Sequence, residues 1–229
     1  MKKRPDGAAI PCGDGLTWFR RPSNKGPVPI PFGRGGVLEN PVSDNHSSTP
    51  FPGTYWVIPG SLLAGAYPGG KDADATEKRM TALLDAGVRS VINLMSEEEA
   101  FEHAPGEHFY PYEDALEKIG ESRGVVVEIE RYAIEDANTL TEQAMELVLD
   151  AIDAEIDGRD SPTFVHCSDG NARTGVVIGC YLARHGLATG KSALEKIREL
   201  RSVDPLFAKQ KSPKTMTEEK FVLRWRESR

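Results

Sequence analysis

The sequence has few cysteines and no long apolar run, and each shortage excludes a class of protein. Three cysteines cannot supply the paired set of a disulfide-rich secreted domain, so we expect a reducing, cytoplasmic compartment. The longest apolar stretch lies within Thr174–Ala183, whereas a membrane span needs roughly 20 apolar residues. Acidic residues outnumber basic ones by 35 to 28, and the net charge of −7 argues against nucleic acid as the main partner.

Metal-ligand patterns are missing as well. The histidines outside the motif described below are His46, His103, His108 and His185, and their spacing is not that of a metal site. We therefore expect neither a metal ion nor another cofactor.

Proline is concentrated at the N-terminus, where the first 60 residues hold ten of the sixteen prolines. Segments such as Pro27–Pro31 and Gly33–Gly36 have neither a helical nor a strand period. We expect residues 1–53 to form an extended Pro/Gly-rich arm and residues 54–229 to form the folded domain. Such an arm could wrap the surface of the domain, which is the usual behaviour of a terminus, or it could dock a partner.

From Tyr55 onward, strand-like and helix-like patterns alternate. A hairpin is predicted at Trp56–Ile58 and Leu62–Ala66, and β-branched runs predict strands at Val88–Leu94, Val125–Ile134 and Thr163–His166. Helices are predicted around them, at Ala75–Ala86, after Thr139, up to about Arg184, at Ser192–Arg201 and at Glu218–Arg226. This alternation predicts an α/β fold with a central, mostly parallel sheet of four to five strands, flanked by helices on both faces.

One helix start has a sequence signature of its own. Thr139-Leu140-Thr141-Glu142 matches a capping box, which predicts a helix start with Thr139 as its cap. The helical period then predicts an inward face made of Ala144, Leu147, Val148, Ala151 and Ile152.

The chemistry is concentrated at one junction between a strand and a helix. Cys167 stands at the carboxyl end of the predicted strand Thr163–His166, a five-residue loop follows, and Arg173 stands at a helix start. Such a loop can turn successive backbone N–H groups inward, and the helix N-terminus adds positive potential. The same environment binds a dianion and converts a thiol into a thiolate, while an arginine can hold two phosphoryl oxygens.

These residues resemble the signature of the cysteine-based protein tyrosine and dual-specificity phosphatases, His-Cys-x5-Arg-Thr/Ser-Gly. The segment Tyr55–Gly69 looks like the opening of bacterial dual-specificity-like phosphatases, and Ser212–Trp225 is similar to their closing segment. The resemblance covers about residues 54–227 and implies a phosphatase P-loop between a strand and a helix.

The resemblance also implies a set of catalytic roles. Cys167 attacks phosphorus, while Arg173 and the loop amides hold the oxygens. The phosphate-binding loop consists of Ser168, Asp169, Gly170, Asn171, Ala172 and Arg173. The family places an acidic general acid roughly thirty residues before the cysteine, and Asp136 is 31 positions upstream. Glu135 is the second candidate, and Asp136 could instead only cap a helix.

Two neighbours of the cysteine and arginine receive supporting roles from the resemblance. His166 orients the loop and lowers the pKa of the thiol. Thr174 donates its hydroxyl to the sulfur and eases its departure in the second step.

The chain departs from the family pattern at two positions. Asp169 occupies a loop position where relatives often have small, apolar or basic residues. A carboxylate there raises the pKa of the thiol and repels polyanionic substrates unless it points outward or pairs with a cation. Glu218 stands close to the position at which relatives have a glutamine that helps place the hydrolytic water. We do not assign Glu218 as catalytic.

The sequence thus predicts a phosphomonoester hydrolase that forms a phosphocysteine intermediate, acting as a protein tyrosine or dual-specificity phosphatase. Its expected partner is a phosphorylated protein or a small phosphomonoester and not a nucleic acid, and no membrane span is expected. Two alternatives remain. The substrate could be a non-protein monoester such as a nucleotide, sugar or lipid phosphate, or the chain could be a phosphate-binding pseudophosphatase.

Overall fold

The computed structural model describes residues 18–19, 48–101, 110–135 and 140–226. Its centre is a six-stranded sheet in the order β1-β5-β4-β6-β3-β2. The strands are β1 (Trp18–Phe19), β2 (Thr54–Ile58), β3 (Leu62–Gly65), β4 (Ser90–Asn93), β5 (Glu128–Tyr132) and β6 (Thr163–His166).

The middle of the sheet is parallel and its two edges are antiparallel. Strands β5, β4, β6 and β3 run in one direction, whereas β2 pairs antiparallel with β3 and β1 pairs antiparallel with β5. The predicted mostly parallel sheet is therefore confirmed. Gly65 of β3 and Asn93 of β4 both lie in register with His166 of β6, so the carboxyl ends of three parallel strands meet at one edge.

Seven helices are described alongside this sheet: α1 (Ala73–Asp85), α2 (Glu97–Phe101), α3 (Glu113–Ser122), α4 (Glu142–Arg159), α5 (Arg173–Arg184), α6 (Lys191–Arg201) and α7 (Met216–Arg224). Helices α1 and α3 contact each other, while α5 contacts α4, α6 and α7. Every residue of β3, β4 and β6 is buried, because side chains alternate between two covered faces. The predicted α/β architecture with helices on both faces is confirmed.

Helix α5 is the buried helix of the domain, and two glycines allow its close packing. A Cβ atom on Gly175 would lie 2.2 Å from Ser212 Oγ, and one on Gly179 would lie 2.7 Å from the Val222 side chain. Larger residues would therefore push the segment before α7, or α7 itself, away from α5. This packing fixes the N-terminus of α5 at the edge where β6 ends.

The predicted start and inner face of α4 were wrong in detail. Its cap is Thr141, whose side chain accepts from Ala144 N, and Thr139 lies outside the described residues. Leu147 is 46% exposed, and the core side of the helix includes Met145 and Leu149 instead. The buried stripe is rotated by about one residue from the predicted one, because the packing of the helix on the sheet turns Met145 and Leu149 inward.

Most of the predicted N-terminal arm lies outside the described residues. Two of its described residues form β1, which pairs with the outer edge of β5, with Trp18 in register with Tyr132, and described residues 48–53 lead into β2. The division at residues 53 and 54 stays a prediction. In the described ranges, no helix combines the length and the apolar character that crossing a membrane requires.

Candidate active site

The predicted phosphate loop lies at the carboxyl edge of the parallel strands. Cys167 directly follows β6 and is buried, and the loop ends where α5 begins at Arg173. Gly170 has a φ of +68°, and a Cβ atom there would lie 2.7 Å from Ala66 N. Only glycine fits this turn, because an L side chain would be strained and would also collide with the end of β3.

The thiol of Cys167 has a hydroxyl partner at the start of α5. Thr174 Oγ1 lies 3.1 Å from Cys167 Sγ and 3.4 Å from the Gly65 carbonyl oxygen. A hydroxyl directed at sulfur stabilises the thiolate more than the thiol, because hydrogen bonds to charged acceptors are the stronger ones. The residues predicted as nucleophile and hydroxyl donor are therefore in contact.

His166 is buried beneath the loop between two hydrogen-bond partners. Its Nδ1 lies 3.2 Å from the Cys167 carbonyl oxygen, which can only accept, so Nδ1 carries the proton. Its Nε2 then accepts from the Tyr112 hydroxyl at 2.8 Å. Burial lowers the pKa of His166 to about 3, outweighing the hydrogen bond to Cys167, and the charges of Arg131 and Arg173 lower it further.

The imidazole is therefore neutral at ordinary pH. Any influence of His166 on the thiol must come from orienting the Cys167 peptide and not from a positive charge.

Arg173 is held by a glutamate that the sequence analysis did not identify. Its Nη1 and Nη2 donate to the two carboxylate oxygens of Glu99, each at 2.5 Å. The guanidinium also donates to the carbonyls of Leu94 and Ile134 and to Ser168 Oγ. Burial would lower the pKa of Arg173, but the bonds to Glu99 and the charges of Cys167, Glu99 and Asp169 raise it.

Glu99 binds Nη1 and Nη2, the terminal edge of the Arg173 guanidinium, and leaves the side edge for a ligand. Nε donates to no partner among the residues that the structure describes, and Nη2 beside it donates only to the neutral Ser168 hydroxyl besides Glu99. Nε and Nη2 together are the side edge with which an arginine can hold two oxygens of a phosphoryl group. The acidic run Glu97–Glu99 follows the end of β4 in the sequence, but nothing in the run identifies Arg173 as its partner.

Asp136, the predicted general acid, lies outside the described residues. The runner-up Glu135 is described and exposed. It follows Ile134, whose carbonyl oxygen accepts from Arg173, so the chain leaves the sheet beside the arginine. The role of either carboxylate stays a prediction.

Asp169 is paired with a cation, which is one of the two conditions under which its charge would be tolerated. Its Oδ2 lies 3.1 Å from Lys214 Nζ, and its Oδ1 accepts from Asn171 N at 2.9 Å. The same Oδ1 is 3.8 Å from Cys167 Sγ. Burial would raise the pKa of Asp169, but the bonds from Asn171 and Lys214 and the Lys214 charge lower it below its usual value.

The rear of the loop is held by buried contacts from α6 and the segment after it. Arg201 is buried and donates to the Gly170 carbonyl oxygen at 2.7 Å and to Asn171 Oδ1. Its guanidinium carbon lies 4.0 Å from the centre of the Phe207 ring. Asn171 Nδ2 donates to Gln210 Oε1 at 2.7 Å, so the loop is fixed from behind through both its backbone and a side chain.

Glu218 is used in local structure. It forms a capping box with Thr215 at the start of α7, and its Oε2 accepts from Lys214 N at 2.7 Å and from Thr215 N at 3.0 Å. Together with the Ser212 hydroxyl, which donates to the Asn171 carbonyl at 2.8 Å, it fixes the segment before α7 against the phosphate loop.

The described side chains hold no metal-like cluster: nowhere among them do three or more histidine, cysteine, aspartate or glutamate side chains gather as they would around an ion.

Solved structures share this architecture. Kinase associated phosphatase with its catalytic cysteine changed to serine has 16% identity and a TM-score of 0.53, over 70% of this chain and 83% of that one. TpbA of P. aeruginosa in complex with pTyr has 17% identity and a TM-score of 0.51, over 78% and 86%. Tk-PTP in the active form has 18% identity and a TM-score of 0.51, over 75% and 94%.

Residues 52–224 match the family described as "Swiss Army Knife protein, DSP-PTPase phosphatase domain". The match spans more than half of the chain and includes the phosphate loop with all the contacts described above. The chain belongs to this family and is a cysteine-based phosphatase of the dual-specificity type.

Proposed function

We propose that this phosphatase hydrolyses phosphotyrosine, and other phosphomonoesters, on proteins. The observation that carries the proposal is the convergence of Cys167 Sγ, Thr174 Oγ1 and the Arg173 guanidinium at the N-terminus of one helix. A thiolate, a donor to that thiolate and a fixed cation are the groups that phosphoryl transfer to sulfur requires.

In the first step, the Cys167 thiolate attacks phosphorus. The S–P bond forms as the bond from phosphorus to the leaving oxygen breaks, and the three remaining oxygens bind to the loop amides and the side edge of Arg173. The leaving alkoxide or phenolate takes a proton from Asp136, with Glu135 as the second candidate. The contact with Glu99 keeps the guanidinium in one orientation throughout.

In the second step, water attacks the phosphocysteine. The carboxylate left on Asp136 accepts a proton from the water, an O–P bond forms, and the S–P bond breaks. The electron pair returns to sulfur as a thiolate, and the Thr174 hydroxyl stabilises that charge as it forms. Inorganic phosphate then leaves the loop.

The burial of the nucleophile favours an aryl ester on a protein. Cys167 has no exposed surface, so a substrate must carry its phosphorus on a group that projects well away from the main chain. Phosphotyrosine projects further than phosphoserine or phosphothreonine. The P. aeruginosa relative holds pTyr in its solved structure, which supports the same preference. The expected partner is a phosphorylated protein in the cytoplasm, and neither nucleic acid nor a membrane span is expected.

One observation favours the second candidate function, a phosphate-binding protein without turnover. Asp169 Oδ1 accepts the hydrogen bond of Asn171 N–H, which is then not free to bind phosphate, and it lies 3.8 Å from Cys167 Sγ. Its negative charge there disfavours the thiolate and repels an entering dianion. A pure binder, however, gains nothing from a hydroxyl placed 3.1 Å from the cysteine sulfur.

The proposal is tested with a substrate panel and an acid variant. We expect turnover of aryl phosphates and phosphotyrosine peptides to exceed turnover of nucleotides, sugar phosphates and phosphoinositides, and chelators to have no effect. Asp136→Asn should lose about 10²–10⁴-fold in rate on phenyl phosphate and much less on an activated leaving group. Glu135→Gln is the matched control. Equal losses in both variants, or no loss in either, would place the acid elsewhere.

A further inference from the structure

A charge pair connects the phosphate loop to the segment before α7 at the mouth of the site. Lys214 Nζ contacts Asp169 Oδ2 at 3.1 Å, with the lysine side chain 61% exposed and the aspartate side chain 38% exposed. The other oxygen of the same carboxylate faces inward, 3.8 Å from Cys167 Sγ. Asp169 therefore lies between the nucleophile and the only cation that contacts it among the described residues.

The position of Lys214 is built by its backbone. Lys214 N and Thr215 N both donate to the buried Glu218 carboxylate, and the Ser212 hydroxyl donates to the Asn171 carbonyl oxygen. These bonds hold the start of the lysine side chain beside the loop, so the pair is more than a chance meeting of two long surface side chains.

The other ionisable groups around the sulfur keep one charge state over the pH range in which a thiol titrates. Burial raises the pKa of Tyr55 to about 12, and His166 has a pKa of about 3, so both are neutral there. Arg173 remains a cation paired with Glu99, and Arg201 behind the loop donates to Gly170 and Asn171. The charges of Asp169 and Lys214 are then the ones near Cys167 Sγ that a substitution at the rim can change.

We propose that Lys214 is a positioning residue for catalysis that acts through Asp169. Its ammonium group offsets the Asp169 charge and holds that carboxylate toward the rim, so that Cys167 can ionise and the phosphoryl dianion can enter the loop. The proposal rests on the proposed function in one respect, namely that Cys167 is the nucleophile. It differs from direct binding of substrate by Lys214, because the effect of removing Lys214 depends on Asp169.

The test is a double-mutant cycle of Lys214→Ala, Asp169→Asn and both together, with Lys211→Ala as control. Asparagine keeps the acceptor for Asn171 N and removes only the charge. Lys211 is a neighbouring exposed lysine that pairs with Glu219 and not with the loop. The first readout is the pH dependence of iodoacetamide alkylation of Cys167, followed by mass spectrometry of its peptide, and the second is the kinetics of an aryl phosphate.

Lys214→Ala should raise the alkylation pKa by about 0.5–1 unit and lower kcat/KM at pH 6 about 3- to 10-fold, mainly through KM. Asp169→Asn should lower the alkylation pKa, and Lys214→Ala should then change neither readout. High salt should shrink the effect of the single variant, because the pair is partly exposed.

An equal loss of kcat/KM from Lys214→Ala in both backgrounds would overturn the proposal and show direct substrate binding. An unchanged alkylation pKa in Lys214→Ala would overturn it as well. The alkylation assay needs no turnover, so it still reports on Lys214 if the proposed substrate or activity is wrong.

Discussion

The front and the rear of the phosphate loop are held by different kinds of contact. At the front, Glu99 and Lys214 pair with loop residues through charges that are partly exposed. At the rear, Arg201 and Gln210 contact the loop, and Arg201 is buried against the Phe207 ring. Buried contacts resist rearrangement, whereas exposed charges are easily screened and exchanged. The rear therefore sets the shape of the loop, and the front sets its charge.

The largest effect is expected from the rear. Arg201→Met removes the donors to Gly170 and Asn171 and leaves two buried acceptors unpaired, which should lower the free energy of unfolding by about 2–4 kcal/mol. Turnover should fall together with stability, and Arg201→Lys should restore part of both. Urea unfolding followed by circular dichroism measures the loss. A stable Arg201→Met protein with normal kcat/KM would show that the loop needs no support from behind.

A front substitution should affect the rate and spare the fold. Glu99→Gln keeps the size of the side chain but removes the charge that orients Arg173, and we expect kcat/KM to fall about 10- to 100-fold. The free energy of unfolding should change by less than about 1 kcal/mol, because part of the contact is open to water. Glu98→Gln, at the exposed neighbouring position, is the matched control.

If the main effect of Glu99→Gln is on stability, the division between front and rear does not hold at this residue.

The effect that is smallest at neutral pH is the pH dependence of stability, which grows only as the solution is made acidic. The pKa of His166 is about 3 in the folded protein and about 6.5 in an unfolded chain, so between these values the unfolded state binds more protons. Stability should therefore fall as pH drops below about 6.5, by up to about 1.4 kcal/mol per pH unit from this group. His166→Asn should be less stable at pH 7 but should show a shallower loss in acid, measured by unfolding at several pH values. Parallel curves would mean that His166 takes up a proton as readily in the folded protein as in the unfolded chain.

The sequence was sufficient for strands β2 to β6 and for helices α1 and α4 to α7, because each has its own local period, and β6 was found with the bounds Thr163–His166. It did not predict β1, α2 or α3. It was also sufficient for the contact between Cys167 and Thr174, since both belong to one strand–loop–helix unit. The face of α4 was missed at Leu147, because packing against the sheet decides which side of a helix is buried.

The partners of the loop were missed for a different reason. Glu99, Lys214 and Arg201 lie 74, 45 and 31 positions in the chain from the residues they contact. No local sequence pattern predicts a contact between residues so far apart in the chain. Only the packing of the helices and loops around the sheet brings them together. The spacing of a charge from a motif can indicate a role, as for Asp136, but it does not identify its partner.

The central claim is that Cys167 carries the phosphoryl group, and trapping the intermediate tests it most directly. An aryl phosphate with an activated leaving group, labelled in its phosphoryl group, is mixed with the full chain and quenched in acid within milliseconds, and the peptides are mapped by mass spectrometry. We predict a phosphocysteine at Cys167 that accumulates more in Asp136→Asn, because the base for the second step is missing, and none in Cys167→Ser. Label on another residue, or full turnover by Cys167→Ser, would contradict the account.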